Sequence, residues 1–371
     1  MYRKKLCILT PCHWSSAMGG AEYQVKSLLD RLIPLDRFEI TYLARDYDPS
    51  FQPRDYRIEG ICNGDSSSMA YGAFFLDAPR LWKSLHRIRP DVILQRVGCA
   101  YTGVAAHYAV RNKCNMVFHV SIDNDILLKA YDRKIVGKSI HRIEYLFIDY
   151  ALKHCPHIIT QTHQQAVHLK ERYHRVPAAV VPNFHRVPEG DIRKTDPIKV
   201  VWVANFKPSK QPELFVRLAD ALGNSRGGLQ CIMIGAPYPG AGKQSEIARE
   251  IERAQNLHYL GALPVEQVNA ILEQAHIFVN TSYCEGFPNT FIQAWMRKAP
   301  VVSLQWDPDG VIRRQRLGFV AGTFERLVEQ VLYLADNGPL RERMGQRAQA
   351  YAFEKHSDLA IDEYVRILNG G

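Results

Sequence analysis

Short apolar, β-branched segments alternate along the chain with longer segments of helical period. Leu6–Thr10 and Val92–Gln95 are of the first kind, and Ala21–Leu32 is of the second. This alternation is typical of βαβ units, in which parallel strands form a sheet that helices cover. It also predicts strands at Ile40–Ala44, Met116–Val120, Ile158–Gln161 and Val180–Pro182, and helices at Gly103–Arg111 and Gly137–His154.

A segment rich in Pro, Gly and charge, HRVPEGDIRKTDP at 185–197, interrupts this pattern. Such a composition suits a linker between domains, and 371 residues suit two domains better than one. The alternation then restarts, with strand-like segments IKVVWVA, LQCIMIG, HYLGAL, HIFVN and PVVSL. The fold class that we predict is α/β, with two Rossmann-like domains whose parallel sheets face a cleft. Open parallel sheets bind ligands beyond the carboxyl ends of their strands, so the loops that follow the strands should carry the function.

Composition excludes several classes of protein. A hydrophobic content of 46% with 23% charged residues is that of a globular protein. No apolar run approaches the roughly 18 residues of a membrane span, and the apolar stretch after Arg3-Lys4-Lys5 is too short for a signal peptide. Eight scattered cysteines form no C-x-x-C pair, which argues against a zinc site or a disulfide framework. We therefore expect a cytosolic protein with reduced thiols.

Positive charge is concentrated in the first half. Residues 1–185 hold 25 Lys and Arg against 17 Asp and Glu, whereas the remainder holds 22 against 21. A basic first half indicates an anionic partner, such as a nucleic acid, an anionic membrane surface or a phosphorylated substrate. A merely solvated basic face is the alternative. Neither a helix-turn-helix nor an RNA-binding signature is present, so nucleic acid is the least favoured partner.

Three features of the first half are candidates for chemistry. Gly19 and Gly20 precede a predicted helix, where small residues and a helix N-terminus favour an anion; a plain turn is the alternative. His119 ends an apolar strand, as a functional or a structural histidine would. Asp123 and Asp125 follow it, and this D-x-D fits a solvated loop, a helix cap or a metal–diphosphate site.

The second half offers two further loops. Lys207 and Lys210 lie between a strand and a helix, where they can neutralise a phosphate or remain solvated. EGFPNTFIQAW places Glu285 in a loop after the strand IFVN, with Pro288 near the first helical turn.

The N–H groups of Asn289, Thr290 and Phe291 then predict an anion site at the helix start. Glu285 on one side and Gln293 on the other can hydrogen-bond hydroxyl groups. These properties together suit a nucleotide sugar, which has a diphosphate between a ribose and a hexose.

The sequence resembles the retaining GT-B glycosyltransferases, specifically glycosyltransferase family 4. The resemblance covers nearly the whole chain, and EGFPNTF is its most specific part. The motifs that carry it occur in the family's order and approximate spacing: GGAE (19–22), VFH (117–119), VVPN (180–183), VANFKPSKQP (203–212), MIG (233–235), HYLGAL (258–263) and SYCEGFPNTFIQAW (282–295).

This resemblance implies a GT-B fold with an acceptor-binding domain at 1–186, a donor-binding domain at 187–354 and a C-terminal helix at 355–371 that packs on the first domain. It implies transfer of a sugar from a nucleotide-diphosphate sugar, without a metal cofactor, to a glycan or lipid-linked acceptor. Family catalytic positions correspond to His119, Glu285 and Lys210. Donor-binding positions correspond to Gly19, Gly20, Asn205, Lys207, Lys210, Gly286, Phe287, Asn289, Thr290, Phe291 and Gln293.

The chain departs from the family pattern at two positions. Asn205 stands where the family usually has an arginine, and Gln293 stands where it has a second glutamate. Lys207 can replace the missing cation, and an amide can still bond a ribose diol, although more weakly than a carboxylate. These departures keep two alternatives open: a catalytically weak accessory or scaffold protein, and a sugar-nucleotide epimerase.

A membrane contact also follows from the resemblance, because acceptor domains of the family often meet lipid-linked acceptors at the cytoplasmic face of a membrane. The amphipathic segment 135–155 is a candidate for that contact, with an ordinary core-facing helix as the alternative.

Overall fold

The chain folds into two compact units, described here from a computed structural model. The first comprises Met1–Asn183 with Leu359–Gly371, and the second comprises Phe184–Asp358. Each unit contains one parallel sheet with helices, so the predicted α/β class is confirmed. The structure describes residues 3–16, 18–62, 73–129, 135–225, 227–237, 244–357 and 361–370, without the side chains of 135–139 and 244–246.

In the described part of the first unit, seven strands pair in the order β3-β2-β1-β4-β5-β6-β7. Cys7 pairs with Thr41 on one side and with Ile93 on the other, which makes β1 a central strand. The strands are β1 (Lys4–Cys12), β2 (Phe38–Asp46), β3 (Arg57–Gly60), β4 (Val92–Arg96), β5 (Asn115–His119), β6 (His157–Thr160) and β7 (Ala179–Val180). The helices are α1 (Gly20–Leu32), α2 (Ala78–Ile88), α3 (Ala100–Asn112), α4 (Asn124–Leu127), α5 (Ile135–His154), α6 (His163–Tyr173) and, from the end of the chain, α14 (Ile361–Leu368).

In the described part of the second unit, six strands pair in the order β10-β9-β8-β11-β12-β13. The strands are β8 (Ile198–Val203), β9 (Leu229–Ile234), β10 (Leu257–Tyr259), β11 (Ile277–Asn280), β12 (Val301–Ser303) and β13 (Gly318–Val320). The helices are α7 (Pro212–Ser225), α8 (Gln244–Arg253), α9 (Val265–Gln274), α10 (Asn289–Met296), α11 (Val311–Gln315), α12 (Phe324–Asp336) and α13 (Gly338–His356).

Hydrophobic spacing explains the helices beside the candidate loops. In α1, Val25, Leu28, Leu29 and Leu32 are buried at helical spacing on one face. In α10, every residue from Phe291 to Met296 is buried, so this helix is held in the core on all sides. Its first turn is therefore fixed relative to the sheet.

Two strands are absent from the sequence prediction. β3 reads RIEG and has no apolar run, because it is an edge strand whose residues are exposed or half-buried. β13, at the edge of the second sheet, has only three residues. The interdomain segment has no regular element from residue 181 to 197, in agreement with its composition.

Helix α5 buries one face in the first unit. Ile148, Ala151 and Leu152 are part of the core, whereas Leu146 is 69% exposed. The core-facing interpretation accounts for the buried face, and the basic start of the segment lies outside the described side chains. Across the described helices, none combines the length and the apolar character that a membrane crossing needs.

Candidate functional site

The loops after β8 and β11 form one structure at the carboxyl edge of the second sheet. The two strands are neighbours, with Val200 opposite Ile277. The Thr281 hydroxyl donates to the carbonyl of Lys210 at 2.6 Å, and the amide of Tyr283 donates to the carbonyl of Ser209 at 3.1 Å. These bonds fix the backbone of both loops, and so they fix the direction of the side chains that follow.

The centre of this loop pair is an ion pair between Lys210 Nζ and Glu285 Oε1. The side chains are 21% and 13% exposed, respectively. Partial burial weakens solvent screening, so each charge acts more strongly on a neighbour than a surface charge does. Sequence reasoning assigned the two residues to different parts of a ligand, and the structure brings them into direct contact.

Helix α10 begins beside Glu285. Pro288 is its N-cap and Asn289 its first residue, so the predicted helix start is confirmed. The amide of Phe291 donates to the carbonyl of Pro288 at 3.1 Å, so among the three predicted anion-binding amides this one already has an acceptor within the helix. The first turn still supplies the positive end of the helix dipole. The side chain of Asn289 is positioned by a contact of its Oδ1 with His185 Nε2 at 3.2 Å.

Gly286 and Phe287 support the loop. The indole N–H of Trp306 donates to the carbonyl of Gly286 at 3.0 Å. Phe287 is 6% exposed and lies 4.5 Å from His356, measured between ring centroids. The side chain of Phe287 is thus a core group, and only the backbone of this segment is suited to meet a ligand.

Gln293 is not an open hydrogen-bonding group. It is 6% exposed, and its Nε2 donates to Asn269 Oδ1 on α9 at 2.9 Å. A ribose that bonds this N–H group must exchange that contact. The expected role therefore has an energetic cost that the sequence did not indicate.

Asn205 and Lys207 lie in the exposed part of the loop after β8. Asn205 Oδ1 accepts from the amide of Ala236 at 3.3 Å, which ties this loop to the one after β9. Gly235, in the loop after β9, packs directly against the backbone of Ala204. Its φ is +151°, and a Cβ atom added at this position would lie 1.8 Å from the carbonyl oxygen of Ala204. Only glycine fits there, which explains the MIG motif.

Gly19 and Gly20 lie at the start of α1. Gly19 is the N-cap in an extended conformation, and Gly20 is the first helical residue. The backbone at Gly19 does not require glycine, so the contribution of the pair is its small size beside a helix N-terminus. The structure thus places both at the carboxyl edge of the first sheet, as predicted from the sequence.

His119 lies in a buried polar cluster of the first unit. It is 0% exposed, its Nδ1 accepts from Arg96 Nη1 at 3.1 Å, and the Tyr364 hydroxyl also contacts Nδ1. Burial, followed by the charge of Arg96, lowers the pKa of His119 well below its usual value. His119 is therefore neutral at pH 7, and its Nδ1 is held by Arg96 and Tyr364.

Arg96 and Tyr364 are members of this cluster that sequence reasoning missed. Arg96 ends the apolar strand β4 directly opposite His119, and its guanidinium also donates to Asn183 Oδ1. A charged residue at the end of an apolar strand was an available signal. Tyr364 is 245 residues from His119 in the sequence, and no local pattern indicates their contact.

The D-x-D pair serves loop structure. Asp125 is 6% exposed and accepts from the amides of Ser121 and Ile122, while Asp123 Oδ1 accepts from Gln165 Nε2 at 3.0 Å. Burial raises the pKa of Asp125 to about 6. Within the described residues there is no group of three or more His, Cys, Asp or Glu side chains arranged to hold a metal ion. Asp123 is the N-cap of α4 but its side chain makes no capping hydrogen bond, so both carboxylates act by bracing the loop after β5.

Two parallel-sheet α/β units, with a cation, a carboxylate and a helix N-terminus at the carboxyl edge of the second sheet, define the GT-B class of fold. Family comparison agrees for both units. Residues 18–185 match the family described as Glycosyltransferase Family 4, and residues 187–351 match the family described as Glycosyl transferases group 1. The two matches leave only residue 186 between them, and the chain belongs to the GT-B glycosyltransferases.

Solved structures share this fold at low sequence identity. Sucrose-phosphate synthase from Thermosynechococcus elongatus has a TM-score of 0.80 at 14% identity, with 100% of both chains covered. Anabaena HepE, in complex with UDP and glucose, has a TM-score of 0.75 at 16% identity, covering 98% of this chain and 99% of that one. WaaG, a glycosyltransferase involved in lipopolysaccharide biosynthesis, has a TM-score of 0.74 at 13% identity, covering 99% and 100%. No curated protein sequence matches the chain.

Proposed function

We propose that this protein transfers a sugar, with retention of anomeric configuration, from a nucleotide-diphosphate sugar to a hydroxyl group of a glycan or lipid-linked acceptor. The observation that carries the proposal is the Lys210–Glu285 ion pair beside the N-terminus of α10. A cation and a helix N-terminus suit a diphosphate, and a half-buried carboxylate suits sugar hydroxyls.

Each group of the site then has a role. Lys210 and the amides of Asn289 and Thr290 bind the diphosphate, with Lys207 as an outer cation. Glu285 accepts hydrogen bonds from hydroxyls of the transferred sugar, and the backbone at Gly286 and Phe287 lines the sugar. Gln293 bonds the ribose after exchanging its contact with Asn269.

The reaction needs no protein nucleophile. The bond between the anomeric carbon and the donor phosphate oxygen breaks, and the acceptor oxygen bonds that carbon on the same face. The acceptor proton passes to the departing phosphate oxygen. Lys210 and the helix N-terminus stabilise the charge that develops on the leaving diphosphate, and the loops hold the reacting atoms in place. Because these groups supply the positive charge, we expect transfer without a metal ion.

His119 acts as a positioning residue in this proposal. Its cluster with Arg96 and Tyr364 lies at the carboxyl ends of β4 and β5, and it fixes the loops that follow these strands. Because Gly19 and Gly20 have no side chain, a phosphate or the acceptor can approach their backbone closely.

The donor and pathway have indirect support. HepE was crystallised with UDP and glucose, which makes UDP-sugars the first donors to test. WaaG is a lipopolysaccharide enzyme, and we extend from it the proposal of surface polysaccharide or glycolipid assembly. The basic first half, with 25 Lys and Arg against 17 Asp and Glu over residues 1–185, suits work at the cytoplasmic face of an anionic membrane.

A donor screen tests the proposal. UDP-, GDP-, ADP- and dTDP-sugars are compared by thermal stabilisation, since a ligand of the folded state raises its stability by mass action. The stabilising donor is then incubated with acceptor glycans and lipids, with and without EDTA, and proton NMR gives the anomeric configuration of the product. Glu285→Gln is the matched control, expected to bind donor without transfer.

Three results contradict the proposal in different ways. Donor binding without turnover on any acceptor supports an accessory protein. Conversion of the donor sugar without an acceptor indicates an epimerase. A product of inverted configuration excludes the retaining mechanism.

A further inference from the structure

A cavity of about 550 Å³ lies along the outer edge of the second sheet, away from the loops described above. Its wall includes the edge strand β13, which pairs with β12 on its other side. Arg313 and Arg316 come before β13 in the chain, at the amino edge of the parallel sheet. The donor loops follow β8 and β11, at the carboxyl edge, and so the two sites are distinct.

Four arginines line this cavity, and positive charge there is poorly neutralised. Arg313 has a single ion pair, at 4.0 Å from Asp307. Arg316, Arg343 and Arg347 have no carboxylate within ion-pair distance among the residues that the structure describes. Sequence reasoning placed the basic surface in the first half, because a near-balanced total of 22 against 21 over the second half hides this local excess.

Helix geometry directs these charges to one place. Arg343 and Arg347 are one turn apart on α13, and Met344 between them is buried in the core. Like charges at this spacing repel each other. A bound anion would remove that repulsion, and it would be met by planar guanidinium groups that match the oxygens of a phosphate two at a time.

The remaining wall is suited to an organic group. Phe319, Leu340 and Met344 contribute apolar surface. Gln330 also lines the cavity, and its buried Oε1 has no hydrogen-bond partner among the described residues. A buried polar atom without a partner is uncommon, and either an ordered water or a donor group of a ligand would satisfy it. The cavity volume is within the range of small-molecule sites.

We propose that this cavity is a second anion site, which binds a ligand carrying two or more phosphate groups next to an apolar or hydrogen-bond-donating part. Four guanidinium groups exceed what a single carboxylate needs, whereas a polyphosphate can engage them together. The ligand is either a soluble organic polyphosphate or a phospholipid head group. This site is separate from the proposed donor site at Lys210 and Glu285. The proposal therefore does not depend on the proposed transferase reaction.

The test uses the full chain and the triple variant Arg316→Gln/Arg343→Gln/Arg347→Gln. Its matched control is Arg253→Gln, an exposed arginine beside the opposite edge strand, β10. Sodium tripolyphosphate is titrated by calorimetry at physiological salt. Both the triple variant and Arg253→Gln also carry Lys210→Met, which weakens binding at the proposed donor site. We expect the triple variant to bind roughly tenfold or more weakly than the control, since each charged hydrogen bond carries a large share of affinity.

Vesicles identify the source of the phosphate. Sedimentation with vesicles that contain cardiolipin, whose head group carries two phosphates, is compared with sedimentation with phosphatidylcholine vesicles on the same pair of variants. Arginine-dependent sedimentation assigns the site to a lipid head group, and arginine-dependent tripolyphosphate binding without sedimentation assigns it to a soluble ligand.

If neither measurement differs between the triple variant and Arg253→Gln, the site does not exist. UDP-sugar binding, unchanged in the triple variant, separates this outcome from failure of the donor site. Equal thermal midpoints of the ligand-free variants show that the triple variant is folded, and the three single substitutions replace it if it is not.

Discussion

Lys210 and Glu285, which are 75 residues apart in the sequence, form an ion pair that joins the loops after β8 and β11. The pair holds a cation and an anion at the position where the proposed donor has a diphosphate and a sugar. A ligand that enters must replace this contact with contacts of its own, phosphate for Lys210 and hydroxyls for Glu285. In the proposed reaction, the ion pair therefore keeps both charges positioned and paired until the donor enters.

Lys210 is partly buried and Lys207 is exposed, so we predict that their substitutions affect donor binding differently. Lys210→Met should weaken the affinity for the UDP-sugar about tenfold or more, because a half-buried charged hydrogen bond is lost. Lys207→Met should change it less than about threefold, because Lys207 is exposed and its charge is screened. Calorimetric titration of both variants measures the difference. Equal losses would show that Lys207, and not only Lys210, contacts the diphosphate.

The bond between Gln293 and Asn269 predicts a gain in donor affinity when it is removed. Asn269→Ala should lower the free energy of unfolding by about 1 kcal/mol, since one hydrogen bond inside the unit is lost. It should also tighten UDP binding severalfold, because Gln293 no longer exchanges a contact to reach the ribose. Urea unfolding and calorimetry check the two effects.

Gln293→Leu is the control for this exchange, and it should weaken UDP binding relative to the natural chain. Unchanged UDP affinity in both variants would remove Gln293 from the donor site.

Local sequence patterns located most strands and the start of α10, because burial in a parallel sheet and a proline at a helix start act over a few residues. They did not give the partners of the site residues. Gln293 reads as an available amide until Asn269, on another helix, is seen to occupy it. His119 reads as a strand-end residue until Tyr364 and Arg96 enclose it. Such contacts depend on how distant segments pack, and no spacing in the sequence records them.

The cluster around His119 predicts a loss of stability on substitution. His119→Gln should lower the free energy of unfolding by roughly 1–3 kcal/mol, because the buried guanidinium of Arg96 loses a well-placed acceptor. Tyr364→Phe should lower it by about 1 kcal/mol, because only one hydroxyl is removed. Urea unfolding followed by tryptophan fluorescence measures both, with the exposed His154→Gln as control.

UDP binding should persist in the two cluster variants, since Lys210, Asn289, Thr290 and Gln293, the groups proposed to bind the diphosphate and the ribose, lie in the second unit. Loss of transfer in His119→Gln at unchanged stability would instead make His119 a catalytic residue.

A buried histidine of the second unit predicts how stability depends on pH. His276 is 7% exposed, and its Nδ1 accepts from the amide of Lys199 at 3.2 Å. Burial first, and then the charges of Lys194, Arg341 and Lys199 against the weaker opposing effect of Asp196, lower the pKa of His276 to about 4. Its unfolded pKa is about 6.5. Below pH 6.5 the unfolded chain binds a proton that the folded chain does not bind until about pH 4. The free energy of unfolding therefore falls as the pH is lowered through this window, by up to about 3 kcal/mol from this group.

His276→Gln removes this titration. The free energy of unfolding of the variant should therefore fall by up to about 3 kcal/mol less than that of the natural chain between pH 6.5 and 4. The measurement is urea unfolding at half-unit pH steps on the natural chain, His276→Gln and His258→Gln, whose histidine is exposed on β10. Subtracting the curve of each variant from that of the natural chain isolates one histidine, because Asp125, with a pKa raised to about 6, acts in the opposite direction in all three proteins. A difference curve for His276→Gln that stays flat between pH 6.5 and 4 would show that His276 takes up its proton equally in the folded and unfolded states, and that its buried contact with Lys199 opens in acid.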